Sequence, residues 1–141
     1  MLLPLLLQVV GPQLATLSCP PRTQGRPTPN VQIDSGRYLL VVQSTQGHAQ
    51  GMMQLSVDGT GRTGIDLRPV GIQVDTMKGV RVYPGNDSIP TTVLVGGTAG
   101  IGLTVYRLNA GGFDGTWGHV DPKRVSQDGK FCAFRALKRP P

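Results

Sequence analysis

The chain has 141 residues, which is enough for one domain with a modest core and excludes a second independent core. Its 20 glycines and 12 prolines fall between short apolar runs, as turns do in an all-β protein, so the composition indicates a folded domain. The net charge of +6 predicts attraction to anionic surfaces, but the basic C-terminal end has few aromatic residues, which argues against a nucleic-acid partner.

The first ten residues form an apolar run that is too short to span a bilayer as a helix. Its length is typical of a signal-peptide core, although no Lys or Arg precedes it. We expect residues 1–18 to be an export segment or a retained arm that binds a membrane or a partner, in a periplasmic or other extracytoplasmic location; a wrongly assigned start is the alternative. The expected contact residues in the arm are Leu2, Leu3, Leu5, Leu6 and Leu7.

Residues 19–34 read as a proline-rich, extended connector, because closely spaced prolines preclude a helix. Cys19, at its start, and Cys132, in the last predicted strand, are the only two cysteines. In an oxidising compartment they would pair and pin the connector to the barrel. Two alternatives stay open: unrelated cysteines, with Cys132 as a small buried side chain, and a lipid-modified Cys19.

Residues 35–137 are predicted to form one antiparallel β domain of about eight strands. The run from 38 to 42 is apolar at every position, which suits a strand buried on both faces. Further along, apolar and polar residues alternate, which predicts strands with one buried face. The buried face is expected to include Met53, Leu55, Val57, Ile65 and Leu67, and after Arg68-Pro69 to resume with Ile72 and Val74.

Later strands are predicted over residues 80–82, 91–95, 100–108, 113–120 and 130–137, with no helix of ordinary length. Short strands joined by hairpins form either an up-and-down barrel or a two-sheet sandwich. We favour the barrel, because closure removes exposed sheet edges. Residues 138–141 form a basic, proline-containing tail.

The sequence VLVGGTAGIGL, at residues 93–103, resembles the glycine-rich opening of short-chain dehydrogenases, in which a strand leads into a helix that faces the cofactor pyrophosphate. Too few residues follow for the rest of such a domain, and the Tyr-x-x-x-Lys pair of that family is missing from the sequence. Residues 103–106 also favour a strand. We therefore predict a glycine-rich hairpin without a cofactor, and keep a nucleotide-binding enzyme as the remote alternative.

A second motif, Phe113-Asp114-Gly115-Thr116-Trp117, resembles the Gly-x-Trp strand of small calycin-like barrels of exported bacterial proteins. In lipocalins, which belong to this group, the tryptophan packs across one end of the barrel, on the first strand instead of a late one. The resemblance implies a barrel in which Phe113, Gly115 and Trp117 point inward, and it implies no particular ligand. The interior residues that we expect are Leu55, Leu67, Val105, Phe113 and Trp117.

The sequence does not assemble a recognisable active site. His48 and His119 lack Cys, Asp or Glu at metal-ligand spacing, and nothing places Ser126 or Cys132 beside a histidine. We therefore predict that the protein is not an enzyme and has no catalytic or metal residues.

The leading hypothesis is a non-catalytic accessory subunit that docks on a bacterial membrane protein complex at its extracytoplasmic face, with a photosynthetic or respiratory assembly as a conjecture. Besides the leucines of the arm, the residues expected to meet acidic groups or an anionic membrane are Arg22, Arg26, Arg135, Lys138 and Arg139. The alternative is a barrel that binds a small apolar ligand or a glycan in a cavity lined by Leu55, Leu67, Val105 and Trp117.

Overall fold

The computed structural model describes Cys19 and residues 27–73, 79–97, 100–109, 111–121, 124–125 and 128–136. These residues form an all-β fold built on a closed, eight-stranded antiparallel barrel. The predicted barrel is therefore confirmed, and the two-sheet sandwich is not formed.

Nine strands lie in the described part of the chain: β1 (Gly36–Gln43), β2 (His48–Leu55), β3 (Thr60–Thr63), β4 (Val80–Tyr83), β5 (Thr92–Val95), β6 (Ile101–Asn109), β7 (Gly112–Asp121), β8 (Arg124–Val125) and β9 (Gly129–Arg135). From β1 to β7, each strand pairs with the next one along the chain. β9 then pairs with both β7 and β1 and closes the ring, while β8 pairs only with the end of β7.

The pairings around the ring differ in length. β1 and β9 are in register over six positions, from Tyr38 opposite Arg135 to Gln43 opposite Lys130. β3 and β4 are in register over two positions only, Thr60 with Arg81 and Gly61 with Val80. The seam between the first and last strands is therefore a full part of the barrel wall, whereas the β3–β4 pairing is short.

The interior of the barrel is filled by one contiguous apolar cluster. Its centre is aromatic: the Phe113 ring lies 5.2 Å from the Tyr38 ring and 5.9 Å from the Phe131 ring, and both contacts are edge-to-face. This geometry is favoured by the ring quadrupoles and adds to the burial of the rings. Trp117, Leu40 and other side chains of the inward rows pack around these aromatic rings.

One end of the barrel is closed by residues 27–34, the last part of the connector. The Thr28 amide donates to the Tyr106 carbonyl at 2.8 Å, and Pro29 forms an isolated bridge with Pro90. The Thr91 hydroxyl donates to the Val31 carbonyl at 2.7 Å, and the Val31 side chain joins the core. Residues 27–34 are therefore part of the folded domain.

The segment after β3 closes the other end and corrects a prediction. The expected residues are buried, namely Ile65, Leu67 and Ile72, but they do not lie in a strand. A 3₁₀ turn at Arg68–Val70 lies between Leu67 and Ile72. Pro69 explains the change, since it lies in the first turn of the 3₁₀ segment and has no N–H to donate to a sheet ladder. Val74, predicted to resume the strand, lies outside the described residues.

Val57 is a second correction. The alternation predicts a buried Val57, but β2 ends at Leu55 and Val57 is 93% exposed in the β2–β3 turn. The Asp58 carboxylate accepts hydrogen bonds from the amide and the hydroxyl of Thr60, at 3.0 and 2.7 Å, and these bonds stabilise the turn. Turn chemistry therefore ends the alternation before Val57.

Gly51 provides a test of this packing. It lies in β2 between the buried residues Ala49 and Met53, and a Cβ at this position would be 2.8 Å from the Ile65 Cα. Gly51→Val is expected to lower the free energy of unfolding by about 1–3 kcal/mol, because the backbone around Ile65 must move. Urea denaturation measures this change.

Gly64→Val is the matched control, because a Cβ at Gly64 has no atom within 4 Å. We expect little change for this variant. Equal destabilisation by the two substitutions would contradict the packing of Ile65 against β2.

Candidate functional site

The outer wall at the β1–β9 seam carries a disulfide between Cys19 and Cys132, whose Cα atoms are 5.5 Å apart. Cys132 lies opposite Val41 in the register, and both side chains point away from the barrel interior. They are nevertheless fully buried, because Cys19 and Phe134 pack with them in a small outer cluster. This cluster explains why residues 38–42 are apolar on both faces of the strand.

The disulfide determines where the N-terminal part of the chain meets the barrel. Cys19 is held on β9, and its amide also donates to the Gln43 side chain at 3.4 Å. The next described anchor is Thr28, bonded to β6 on the other side of β7. An arm formed by residues 1–18 would therefore join the domain at the outer wall over β1 and β9.

Arg135, predicted as a partner contact, is held within the domain. Its Nη2 donates to the Ser35 carbonyl at 3.0 Å, its Nη1 lies 3.6 Å from an Asp34 carboxylate oxygen, and its guanidinium lies 5.8 Å from the centre of the Tyr38 ring. Burial raises the pKa of the Tyr38 hydroxyl, an effect that the positive charge of Arg135 partly opposes. The other predicted contacts lie outside the described residues: Leu2, Leu3, Leu5, Leu6, Leu7, Arg22, Arg26, Lys138 and Arg139.

The five predicted interior residues, Leu55, Leu67, Val105, Phe113 and Trp117, all belong to the core cluster, and none is more than 3% exposed. Trp117 lies near the end of the barrel where β1 stops, and its indole N–H donates to the Gln43 carbonyl at 2.7 Å. The tryptophan thus joins β7 to the end of β1 from inside the barrel.

The glycine-rich motif forms the turn between β5 and β6, and the predicted hairpin is confirmed. Gly96 and Gly97 have φ of 83° and 74°, in the left-handed region that favours glycine. Strand β6 begins at Ile101, where a dinucleotide-binding motif would require a helix.

The two histidines have different neighbours and do not form a common site. His119 Nδ1 is 2.7 Å from an Asp128 carboxylate oxygen, which also accepts the His119 amide hydrogen at 3.1 Å, so this pair joins β7 to the residue before β9. His48 begins β2, opposite Gln43. The described residues contain no group of three or more potential metal ligands.

Of the two candidate nucleophiles, Cys132 forms the disulfide, and Ser126 lies outside the described residues.

A groove of about 580 Å³, here called the β1–β3 groove, lies on the outer wall and was not predicted. Arg37, Gln54 and Arg62 form a row across it, because Arg37 pairs with Gln54 and Gln54 pairs with Arg62 in the strand registers. The described residues that line it are Arg37, Met52, Met53, Gln54, Gly61, Arg62, Thr63, Gly64 and Gly79. Alternation along each strand indicates which of these residues face outward, but their juxtaposition depends on the registers, which the sequence does not reveal.

No protein-family model, curated protein or solved structure matches this chain. Within the described ranges, no helix has the length and apolar character needed to cross a membrane.

The disulfide should contribute strongly to stability, because its cysteines are 113 residues apart. Reduction is expected to lower the free energy of unfolding by about 2–4 kcal/mol, since it releases a long closed loop in the unfolded chain. Urea denaturation with and without a reductant measures the difference.

Cys19→Ala is the control for this measurement. It should unfold at the same urea concentration with and without reductant, close to the value of the reduced parent protein. If the reductant does not change the unfolding midpoint of the parent protein, the disulfide does not form.

Proposed function

We propose that this protein is a non-catalytic accessory domain that docks on a membrane protein complex at the extracytoplasmic face, through an arm formed by its N-terminal residues. The observation that carries the proposal is the disulfide between Cys19 and Cys132. Such bonds form and persist in oxidising compartments and are rare in the cytosol. The bond also follows directly after the apolar N-terminal segment, so it supports both the location and the attachment of an arm.

The position of the disulfide suits a tether. A partner that holds residues before Cys19 would pull on β9 directly, because the covalent bond bypasses the connector between Cys19 and residue 27. β9 is paired on both sides, with β1 and with β7, so the load would be shared by two strand ladders. The barrel would therefore remain attached even if the connector detached from the wall.

The packing of the barrel favours binding at the outside of the domain. A barrel that carries a ligand within needs open space beside residues such as Leu55, Leu67, Val105 and Trp117, and these side chains instead pack with the rest of the core. The net charge of +6 adds a general attraction to anionic lipid or to an acidic patch on a partner. A rigid, basic body with an apolar arm is consistent with docking at a membrane surface.

Removal of residues 1–18 tests this proposal. The deletion keeps Cys19 and the contacts of residues 27–34, so the barrel should fold with an unchanged melting temperature. We expect the parent protein to sediment with membranes and the deletion variant to stay in the supernatant, because the arm supplies the apolar contact.

Cys19→Ala is the control that retains the arm and removes the covalent tie, and it should still sediment with membranes. Intact-mass measurement shows whether residues 1–18 are present in the mature protein. Membrane retention of the deletion variant, or a mature protein that lacks the arm, would contradict docking through these residues.

A further inference from the structure

We propose that the β1–β3 groove binds a small amphipathic oxyanion, such as a carboxylate on a single hydrocarbon chain. This site lies on the outer wall, over β1, β2 and β3, and it does not involve the N-terminal arm. Binding at this groove would be a second activity of the domain, separate from docking.

The anionic group would bind at the row of Arg37, Gln54 and Arg62. Neighbouring strands lie about 4.8 Å apart, so the two arginines start roughly 10 Å from each other, with the amide of Gln54 between them. All three side chains are exposed. Guanidinium groups on long side chains can converge on one carboxylate from two sides, and each offers a bidentate pair of hydrogen bonds.

The charge of the groove matches such a ligand. Arg37 and Arg62 form none of the ion pairs found among the described residues, in contrast to Arg68, Arg107 and Arg135. Among the described residues, those that line the groove include two arginines and no acidic residue. The site therefore carries an uncompensated positive charge within the described part of the chain, and an anion would neutralise it.

The apolar part would lie on the next outward row. Met52 supplies its apolar surface, and the β2–β3 register continued by one step brings Gly64 beside Met52. Met52 is 40% exposed, and the space that a Cβ of Gly64 would enter is open. Outward residues on one strand are about 7 Å apart. The apolar row is therefore about 7 Å from the arginines, a distance that a short hydrocarbon chain can span.

The shape of the groove favours a small molecule as the ligand over a flat partner such as a bilayer. Its volume of about 580 Å³ lies within the usual range for small-molecule sites. A bilayer would contact the most exposed apolar side chains, and the four described ones that are more exposed than Met52, namely Val57, Tyr83, Ile89 and Leu108, lie outside this groove. We therefore assign the groove to a single amphipathic molecule that binds from solution.

Sodium decanoate below its micelle-forming concentration is the probe, with the full chain in oxidising buffer. Isothermal titration calorimetry should show saturable binding, and the amide NMR signals that shift should belong to β1, β2 and β3. Acetate lacks the hydrocarbon chain and decanol lacks the charge. Each should therefore bind at least about tenfold more weakly than decanoate, a loss of affinity that corresponds to one modest contact.

The double variant Arg37→Gln/Arg62→Gln removes both charges from an exposed surface and should weaken decanoate binding by at least about tenfold. Arg81→Gln is the matched control, because Arg81 is an exposed arginine of the wall that does not line the groove. It should leave the affinity within about twofold, since a change of that size is a small fraction of one ionic hydrogen bond.

Gly64→Phe blocks the groove without changing its charge, because the new ring enters the open space beside Met52. It should abolish decanoate binding while the melting temperature stays close to that of the parent protein. If the variant melts early, Met52→Ser replaces it, with weaker binding expected because the exposed apolar floor is lost.

The proposal is overturned if decanoate does not bind saturably, if the shifted amides lie elsewhere, or if Arg81→Gln weakens binding as much as the double variant does. Vesicles of phosphatidylglycerol provide the comparison with a lipid surface. Vesicle binding that requires Arg37 and Arg62, without binding of monomeric decanoate, would assign the arginines to a membrane contact and refute the small-molecule site.

Discussion

The pairing of β9 with β1 converts a meander of hairpins into a closed barrel. Without it, the two end strands would present unpaired backbone groups and the apolar interior would be open on one side. The seam has six positions in register and is covered on its outer face by the Cys19–Cys132 disulfide. The interior packing, the position of the N-terminal attachment and the shape of the outer wall all depend on this closure.

Strand β1 shows how closure couples these features. Leu40 and other inward side chains of the strand belong to the core, whereas Val41 points outward beneath the disulfide. At the start of the same strand, Arg37 lies at the edge of the β1–β3 groove. Because the interior is filled with side chains, both proposed binding sites are on the outside of the barrel: an arm would join the wall at the β1–β9 seam, whereas the groove lies over β1 to β3. A partner held by the arm would leave the groove accessible if it contacted only the seam.

Several elements were predictable because they depend on local pattern. The alternation of apolar residues predicted most of the strands, and the glycines after Val95 predicted a hairpin even though the same residues resemble a dinucleotide-binding turn. The strand was favoured there because residues 103–106 prefer extended structure, and β6 does start at Ile101. The motif ending in Trp117 also correctly predicted that Phe113 and Trp117 point into the barrel.

The errors arose where local pattern and backbone chemistry disagree. Val57 continues the alternation of β2, but the Asp58 turn reverses the chain and leaves it exposed. Ile65 and Leu67 are buried as predicted, but they cover the end of the barrel and do not form a strand. Pro69, which follows them in a 3₁₀ turn, has no N–H to donate to a strand ladder.

The groove was missed for a different reason. Arg37 and Arg62 are 25 positions apart in the sequence, and only the two registers through Gln54 bring them together. A closed interior likewise depends on long-range pairing that no local pattern reveals.

Amide hydrogen exchange tests closure of the barrel most directly. If the ring is closed as described, the paired amides of β1 and β9 should be among the slowest to exchange in the oxidised protein, while those of the short β3–β4 pairing exchange faster. Exchange at the β1–β9 seam that is as fast as at β3–β4 would contradict a closed barrel and the account built on it.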